Sequence, residues 1–271
     1  MATPDIQTFA DQVKEIGYCI VPEVIPAAHG EALRTHLQSV GENLRRAEIH
    51  ESQQVSAVKG LLSVDQRVAN YVADERVMAI LSQLLGNKLR ISFCSLMTNE
   101  PGKKRTVMHA DWPYNQDRAC HIPAPYPDQI MHTTALLMVS PFTKTNGGTI
   151  VVPGSHRRST NPTDRKSGID PLAVQPDEQQ ITGAAGSLLL MDSRLWHAAP
   201  ENRSSDSRIC VAIRYAPWWL NLEPLDPASE LRKQWVDEPG LKENDQARIP
   251  QDAYERLPAN VKPLVRHWVE R

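Results

Sequence analysis

From Leu89 onward the chain is cut into short apolar runs that proline, glycine and asparagine keep from lengthening, and this limits the fold more than any other feature. The runs are "LRISFCSLMTNE", "MHTTALLMVSPF", "GGTIVVPGS", "GSLLLMD" and "SRICVAIRYAPWW". They are short, apolar or alternating, and bounded by turn residues, so they predict strands. Most of the 21 Pro fall after residue 100. Each removes a backbone donor and fixes φ, which favours a loop-rich, strand-based second half.

The first ninety residues have a different texture. Ile6, Phe9, Val13 and Ile16 recur at three- and four-residue spacing, which predicts a helix ended by Gly17, and "YCIVPEVI" then suits a short strand. The same period runs through "AAHGEALRTHLQSVGENLRRAE" and "DERVMAILSQLLGN". After about residue 221 charge rises again, and a surface helix is expected near "PASELRKQWVDE". We expect one domain over 1–271: a helical layer at 1–88, a strand core at about 89–220 and a C-terminal extension at 221–271. The fold class is mainly β with flanking helices, a sandwich or barrel with helices packed outside. Spacing alone does not separate a jelly roll from other sandwiches.

Charge excludes some functions. The 30 Lys+Arg nearly cancel 32 Asp+Glu, so neither nucleic-acid binding nor a polybasic membrane patch is expected. Lys103-Lys104-Arg105 suits a solvated face. The four cysteines, 19, 94, 120 and 210, form no CxxC pair, which fits a reduced compartment. "MATPDIQTFADQVKEIG" carries acidic residues early and no long apolar run, unlike a signal peptide. No segment approaches the roughly 20 apolar residues of a membrane helix. A cytoplasmic protein is expected, and its oligomeric state is left open.

The chemistry turns on "TVMHADWPYN", residues 106–115. With 9 His and 32 acidic residues, one His-x-acid triplet is expected by chance, and the chain has two. His29-Gly-Glu31 lies in a helical pattern, where residues two apart diverge. His109-Ala-Asp111 lies among strand-like segments, where residues two apart share a face. An imidazole and a carboxylate can then grip one ion, and a third ligand from a distant strand would complete a facial triad with open positions.

The other histidines can be weighed in turn. His36, His50 and His267 suit surface or packing roles, His121 lies in a proline-rich loop, and His132 suits a strand core. His156 sits beside Arg157 and Arg158, a poor place for a cation. His197 differs, because it follows the strand "GSLLLMD" through a turn, and Arg208 opens the next strand eleven positions later. A hairpin through "PENRSSDS" would bring the two together, and a guanidinium there can pair with a carboxylate ligand.

These segments together resemble the phytanoyl-CoA dioxygenase family, a branch of the iron(II)/2-oxoglutarate-dependent oxygenases, from roughly Gly17 to Trp219. "HAD", "NGGTIVVPGSHRR" and "MDSRLWHAAPENRS" carry the resemblance in order, and His-x-Asp alone would be unspecific. The resemblance implies a double-stranded β-helix, a jelly roll with iron at its open end. It implies Fe(II) ligation by His109, Asp111 and His197, which are thereby catalytic, and 2-oxoglutarate binding by Arg208. Thr149 matches a hydroxyl near that cosubstrate. Thr106, also expected to bind the cosubstrate, stands where relatives often carry glutamine, and Cys210 where related oxygenases often carry a hydroxyl.

The expected function is therefore a dioxygenase that uses O2 and turns 2-oxoglutarate into succinate and CO2. It would hydroxylate, or otherwise oxidise, an unactivated C–H bond of a small or medium-sized metabolite. Asp111 occupies the place that is a small residue in halogenases of this type. "WPYNQDRACHIPAPYPDQI" suits a substrate lid in which Trp112, Tyr114 and Tyr126 enclose a ligand or anchor the loop. Trp218 and Trp219 suit either the same mouth or packing below the barrel, and Arg157 and Arg158 are the basic residues available to a CoA ester. Two rivals remain: a cupin-like metalloenzyme without 2-oxoglutarate, and a non-catalytic binding protein of the same fold.

Overall fold

Helix α1 (Ile6–Ile16) begins where the Asp5 carboxylate accepts the Thr8 amide at 2.8 Å, and it ends where Gly17 turns left-handed at φ 94°. A Cβ at Gly17 would lie 2.6 Å from Leu195 Cδ1 and 2.8 Å from His156 Nδ1, so only glycine fits this turn. The computed structural model describes residues 5–47, 56–111, 122, 128–164 and 166–270. Within them, helices α2 (Ala27–Ala47) and Glu75–Leu85 lie where the period predicts.

The described residues form nine strands, numbered in chain order. They are β1 (Tyr18–Val21), β2 (Ser56–Lys59), β3 (Leu89–Asn99), β4 (Thr133–Met138), β5 (Ile150–Val151), β6 (Gln179–Gln180), β7 (Leu188–Asp192), β8 (His197–Ala198) and β9 (Arg208–Pro217). Six form one antiparallel sheet in the order β1-β7-β4-β9-β3-β2, and three form a second in the order β6-β5-β8. An isolated bridge between His109 and His197 extends the second sheet by one segment.

Alternation along the central strands explains their composition. Ile209, Val211, Ile213 and Tyr215 of β9 join the large core shared with α1 and the helix Glu75–Leu85. Cys210 instead joins Met138, Leu189 and Met191 in a cluster with Val151 of the second sheet. Both faces of β7 and β9 are covered, so these strands read as nearly continuous apolar runs. Each fully buried aliphatic side chain here contributes about 1.5–3 kcal/mol.

Three observations depart from the sequence reading. Strand β2 lies inside the stretch read as helical, a four-residue edge strand paired with Ser95–Thr98 of β3. Strands β5, β6 and β8 have two residues each, too few to show a period. The predicted hairpin between His197 and Arg208 is not formed: His197 pairs with Val151, and Arg208 pairs with Asn99 in the other sheet. The polar turn thus crosses between sheets. Near 230–237 a short helix with a π turn occupies the expected C-terminal site. Among the described residues no helix is long and apolar enough to cross a membrane.

Candidate active site

His109 and His197 meet through their backbones before their side chains matter. The His109 amide donates to the His197 carbonyl at 3.0 Å, and the His197 amide donates back at 2.9 Å. One step further, Thr106 donates its amide to the Ala199 carbonyl and accepts the Ala199 amide on Oγ1, both at 2.9 Å. Thr106 therefore clamps the two histidine segments together. The Asp111 amide reaches the Ser193 carbonyl at 2.8 Å, which fixes the third side chain beside them.

The imidazoles are oriented in the same way. Nδ1 of His109 lies 2.9 Å from the Val107 carbonyl, and Nδ1 of His197 lies 2.9 Å from the Leu195 carbonyl. A carbonyl only accepts, so each Nδ1 carries a proton, and in the neutral ring Nε2 is the nitrogen that offers a lone pair. Those Nε2 atoms face Asp111, at 3.8 Å from Oδ1 for His109 and 3.7 Å from Oδ2 for His197. One ligand atom from each residue lies within 4.8 Å of the others. Donors sharing an ion at about 2.1 Å sit up to about 4.2 Å apart, so a small side-chain adjustment suffices.

Asp111 is buried and held on both oxygens. Thr134 Oγ1 donates to Oδ2 at 2.6 Å, and Arg214 Nη2 donates to Oδ1 at 2.5 Å. Burial alone would raise the carboxyl pKa, but Arg214 and the two imidazoles outweigh it and hold Asp111 well below the usual carboxylate range. Burial, with His197 beside it, lowers His109 to about 4. At neutral pH Asp111 is thus charged and His109 neutral, the forms in which each binds a metal.

A polar chain supports it from behind. Thr134 Oγ1 meets Ser193 Oγ at 3.0 Å, Ser193 meets His132 Nδ1 at 2.7 Å, and His132 Nε2 meets Ser92 Oγ at 2.9 Å. His132 is the core histidine the sequence suggests, kept neutral by burial with a pKa lowered to about 3.

At the other end of β9, Arg208 is 3% exposed. It lies 4.7 Å over the Phe142 ring and donates Nη1 to Cys210 Sγ at 3.2 Å, while Nε has no partner. No carboxylate pairs with it among the described residues. A desolvated cation without a counter-ion is costly, so an anion is the natural complement. Thr149 is buried just before β5, and its carbonyl accepts the Ile181 amide at 2.8 Å. The "NGG" segment packs close by: a Cβ on Gly147 would lie 2.3 Å from Nδ2 of Asn99, the residue paired with Arg208.

Arg214 was not singled out by the sequence reading, although a signal exists. In "RICVAIRYA" it shares a strand face with Arg208, six residues on, in an otherwise apolar run. Thr134 and Ser193 carry no comparable signal. Trp112, Tyr114, Tyr126 and His121 lie outside the described residues. Trp218 and Trp219 are exposed, at 65% and 51%, and do not pack below the barrel. Arg157 donates to the Lys14 carbonyl at 2.6 Å, capping α1 together with His156, and Arg158 pairs with Asp177 and covers Trp196.

A family model described as phytanoyl-CoA dioxygenase (PhyH) matches residues 13–210. The chain is 23% identical over 262 residues to Dioxygenase af480 of Aspergillus fumigatus, covering 93% of this chain and 74% of that one. Among solved structures, it is similar to the non-heme alpha-ketoglutarate-dependent carbocyclase SnoK from nogalamycin biosynthesis. That likeness has a TM-score of 0.62 at 20% identity, over 80% of this chain and 88% of SnoK. HygX from Streptomyces hygroscopicus, solved with nickel and 2-oxoglutarate bound, gives a TM-score of 0.61 at 16% identity over 80% and 90% of the chains. At these identities the structural likeness shows the fold, the jelly roll that the sequence resemblance implies.

Proposed function

The chain belongs to the phytanoyl-CoA dioxygenase family, and from that membership we propose that it is an Fe(II)- and 2-oxoglutarate-dependent oxygenase of a small or medium-sized metabolite. The observation that carries this reading is the pairing of two sites on one inter-sheet face. A His-Asp-His set stands beside Arg214 of β9, and a buried arginine without a carboxylate partner among the described residues stands at the start of that strand.

His109, Asp111 and His197 would hold Fe(II), and the residues present fit it. Both imidazoles offer Nε2, the carboxylate is charged, and the donor set is the two-histidine, one-carboxylate kind that leaves positions open. Arg208 would bind the distal carboxylate of 2-oxoglutarate through its free Nε and its Nη donors. Thr149, just before β5, would add a contact, and Thr106 would act by holding the two histidine segments in register. When bound, the iron and cosubstrate supply oxidation by O2, with succinate and CO2 formed. The protein's own part is to orient the donors, neutralise the cosubstrate and keep water from the apolar interior.

Hydroxylation is the outcome we favour, because Asp111 fills the third ligand place and leaves no protein-made gap for a halide. A free metabolite suits the surface better than a CoA ester, since Arg157 and Arg158 are committed to Lys14 and Asp177. Trp112 and Tyr114 are proposed as substrate contacts on sequence grounds, and a cytoplasmic setting on cysteine usage. The balanced charge also speaks against nucleic acid as a partner. The purified protein given Fe(II), 2-oxoglutarate and O2 should release succinate, slowly alone and faster with its substrate. No succinate under any of these conditions, with 2-oxoglutarate failing to bind the metal-loaded protein, would favour the cupin-like rival.

A further inference from the structure

The segment after β9 and the C-terminal residues close over the start of β3 and leave a cavity of roughly 490 Å³. Its walls include Arg90, Glu223, Glu230, Arg248 and His267, and none of its lining residues belongs to the metal triad or contacts it. The volume lies within the range of about 300–1,000 Å³ typical of small-molecule sites.

Two side chains on this cavity lack the partners that buried polar groups nearly always have. Arg90 donates from Nη2 to the Leu220 carbonyl, but its Nε is shut off from water without a partner. No carboxylate pairs with Arg90 among the described residues. The ring of His267 leans toward the Ile91 backbone, yet neither nitrogen makes a well-formed hydrogen bond. Arg248, on the same cavity, shows what a satisfied arginine looks like here. Its Nε and Nη2 reach Asp226 Oδ2 at 2.9 Å and 2.7 Å.

The opposite pole sits on the rim. Glu223 and Glu230 are exposed, line the cavity and make no ion pair among the described residues. No ion pair joins the Arg90–His267 side to Glu223 or Glu230 among the described residues. We propose that the cavity binds a small zwitterionic metabolite, with its carboxylate on Arg90 and His267 and its cationic group toward Glu223 and Glu230. A carboxylate would accept from the Arg90 Nε–H as a charge-assisted bond. A free phosphate or a dicarboxylate fits less well, because the rim repels a second negative charge.

The test is calorimetric titration of the full-length protein with β-alanine, γ-aminobutyrate and 6-aminohexanoate, which span three charge separations. Butyrate and butylamine are the one-pole controls. At least one ω-amino acid should bind saturably with one site per chain, and butyrate and butylamine should bind at least tenfold more weakly. His267→Phe, which keeps the ring packed against Trp268, should weaken binding at least tenfold, as should Arg90→Met. If Arg90→Met does not fold, the Glu223→Gln/Glu230→Gln pair supplies the second arm and should erase the preference over butyrate. Arg208→Met should leave the affinity unchanged. The proposal is overturned by an absence of saturable binding in the wild-type protein, by full-strength binding in His267→Phe, or by loss of binding in Arg208→Met.

Discussion

Arg214 Nη2 donates to Asp111 Oδ1 at 2.5 Å, so a cation from the centre of the large sheet grips the carboxylate between the two imidazoles. The guanidinium also lies 4.8 Å over the Phe93 ring, which fixes its plane. Two effects on metal binding oppose each other. The bond orients the carboxylate and keeps it ionised, whereas the positive charge repels an incoming cation.

For Arg214→Met we expect orientation to dominate. Partners of metal ligands are worth roughly 10- to 100-fold in metal affinity, and Arg214 is one of two side chains holding Asp111. Co(II) or Mn(II) titration of the variant should show that loss. Tighter metal binding instead would mean that relief of repulsion is the larger effect.

Arg208→Met should raise the KM for 2-oxoglutarate tenfold or more and leave metal affinity near wild type. A charge-assisted pair in this buried setting is worth about 1.5–3 kcal/mol. Thermal melts give an independent check. Without cosubstrate the variant should be no less stable, because it removes a desolvated cation that has no counter-ion among the described residues. Added 2-oxoglutarate should raise the Tm of the wild type but not of the variant. Equal shifts in both would place the cosubstrate elsewhere.

The same contrast shows what the sequence makes legible. His109 and Asp111 are readable because two residues one strand-step apart share a face, and the structure does place them together. Gly17 is readable because a helix period stops there, and its left-handed turn follows. The hairpin proposed to join His197 and Arg208 does not exist; His197 faces Asp111, which Arg214 of the Arg208 strand holds. Thr134 and Ser193 could not be found, since their role depends on register: Thr134 stands opposite Arg214 and next to β7 only once β4 is paired.

Trp112→Ala and Tyr114→Ala test the lid reading. Proline in residues 112–130 lowers the entropy lost on ordering over a ligand. If these aromatic side chains hold substrate, each variant should make succinate faster than oxidised product, with unchanged 2-oxoglutarate affinity. A wild-type ratio with lower stability would make them loop anchors instead.

Besides His132, two histidines outside the triad set a pH dependence of stability. Burial, with Arg90 nearby, depresses His267 to about 3, and burial also lowers His156, whose Nε2 donates to the Lys14 carbonyl. In the unfolded chain both return to the ordinary imidazole value of about 6.5. As pH falls through that value the unfolded chain takes up protons that the folded protein refuses, so stability falls. The loss continues until His267 itself protonates near pH 3. Each such group costs up to about 1.4 kcal/mol per pH unit in that window. Urea unfolding at pH 7, 6, 5 and 4 should therefore show a slope that His267→Phe reduces below pH 6, with the two proteins differing least at pH 7. A slope identical in wild type and variant would mean that the folded protein accepts the proton at His267, and that the ring is reached by water or an acidic partner.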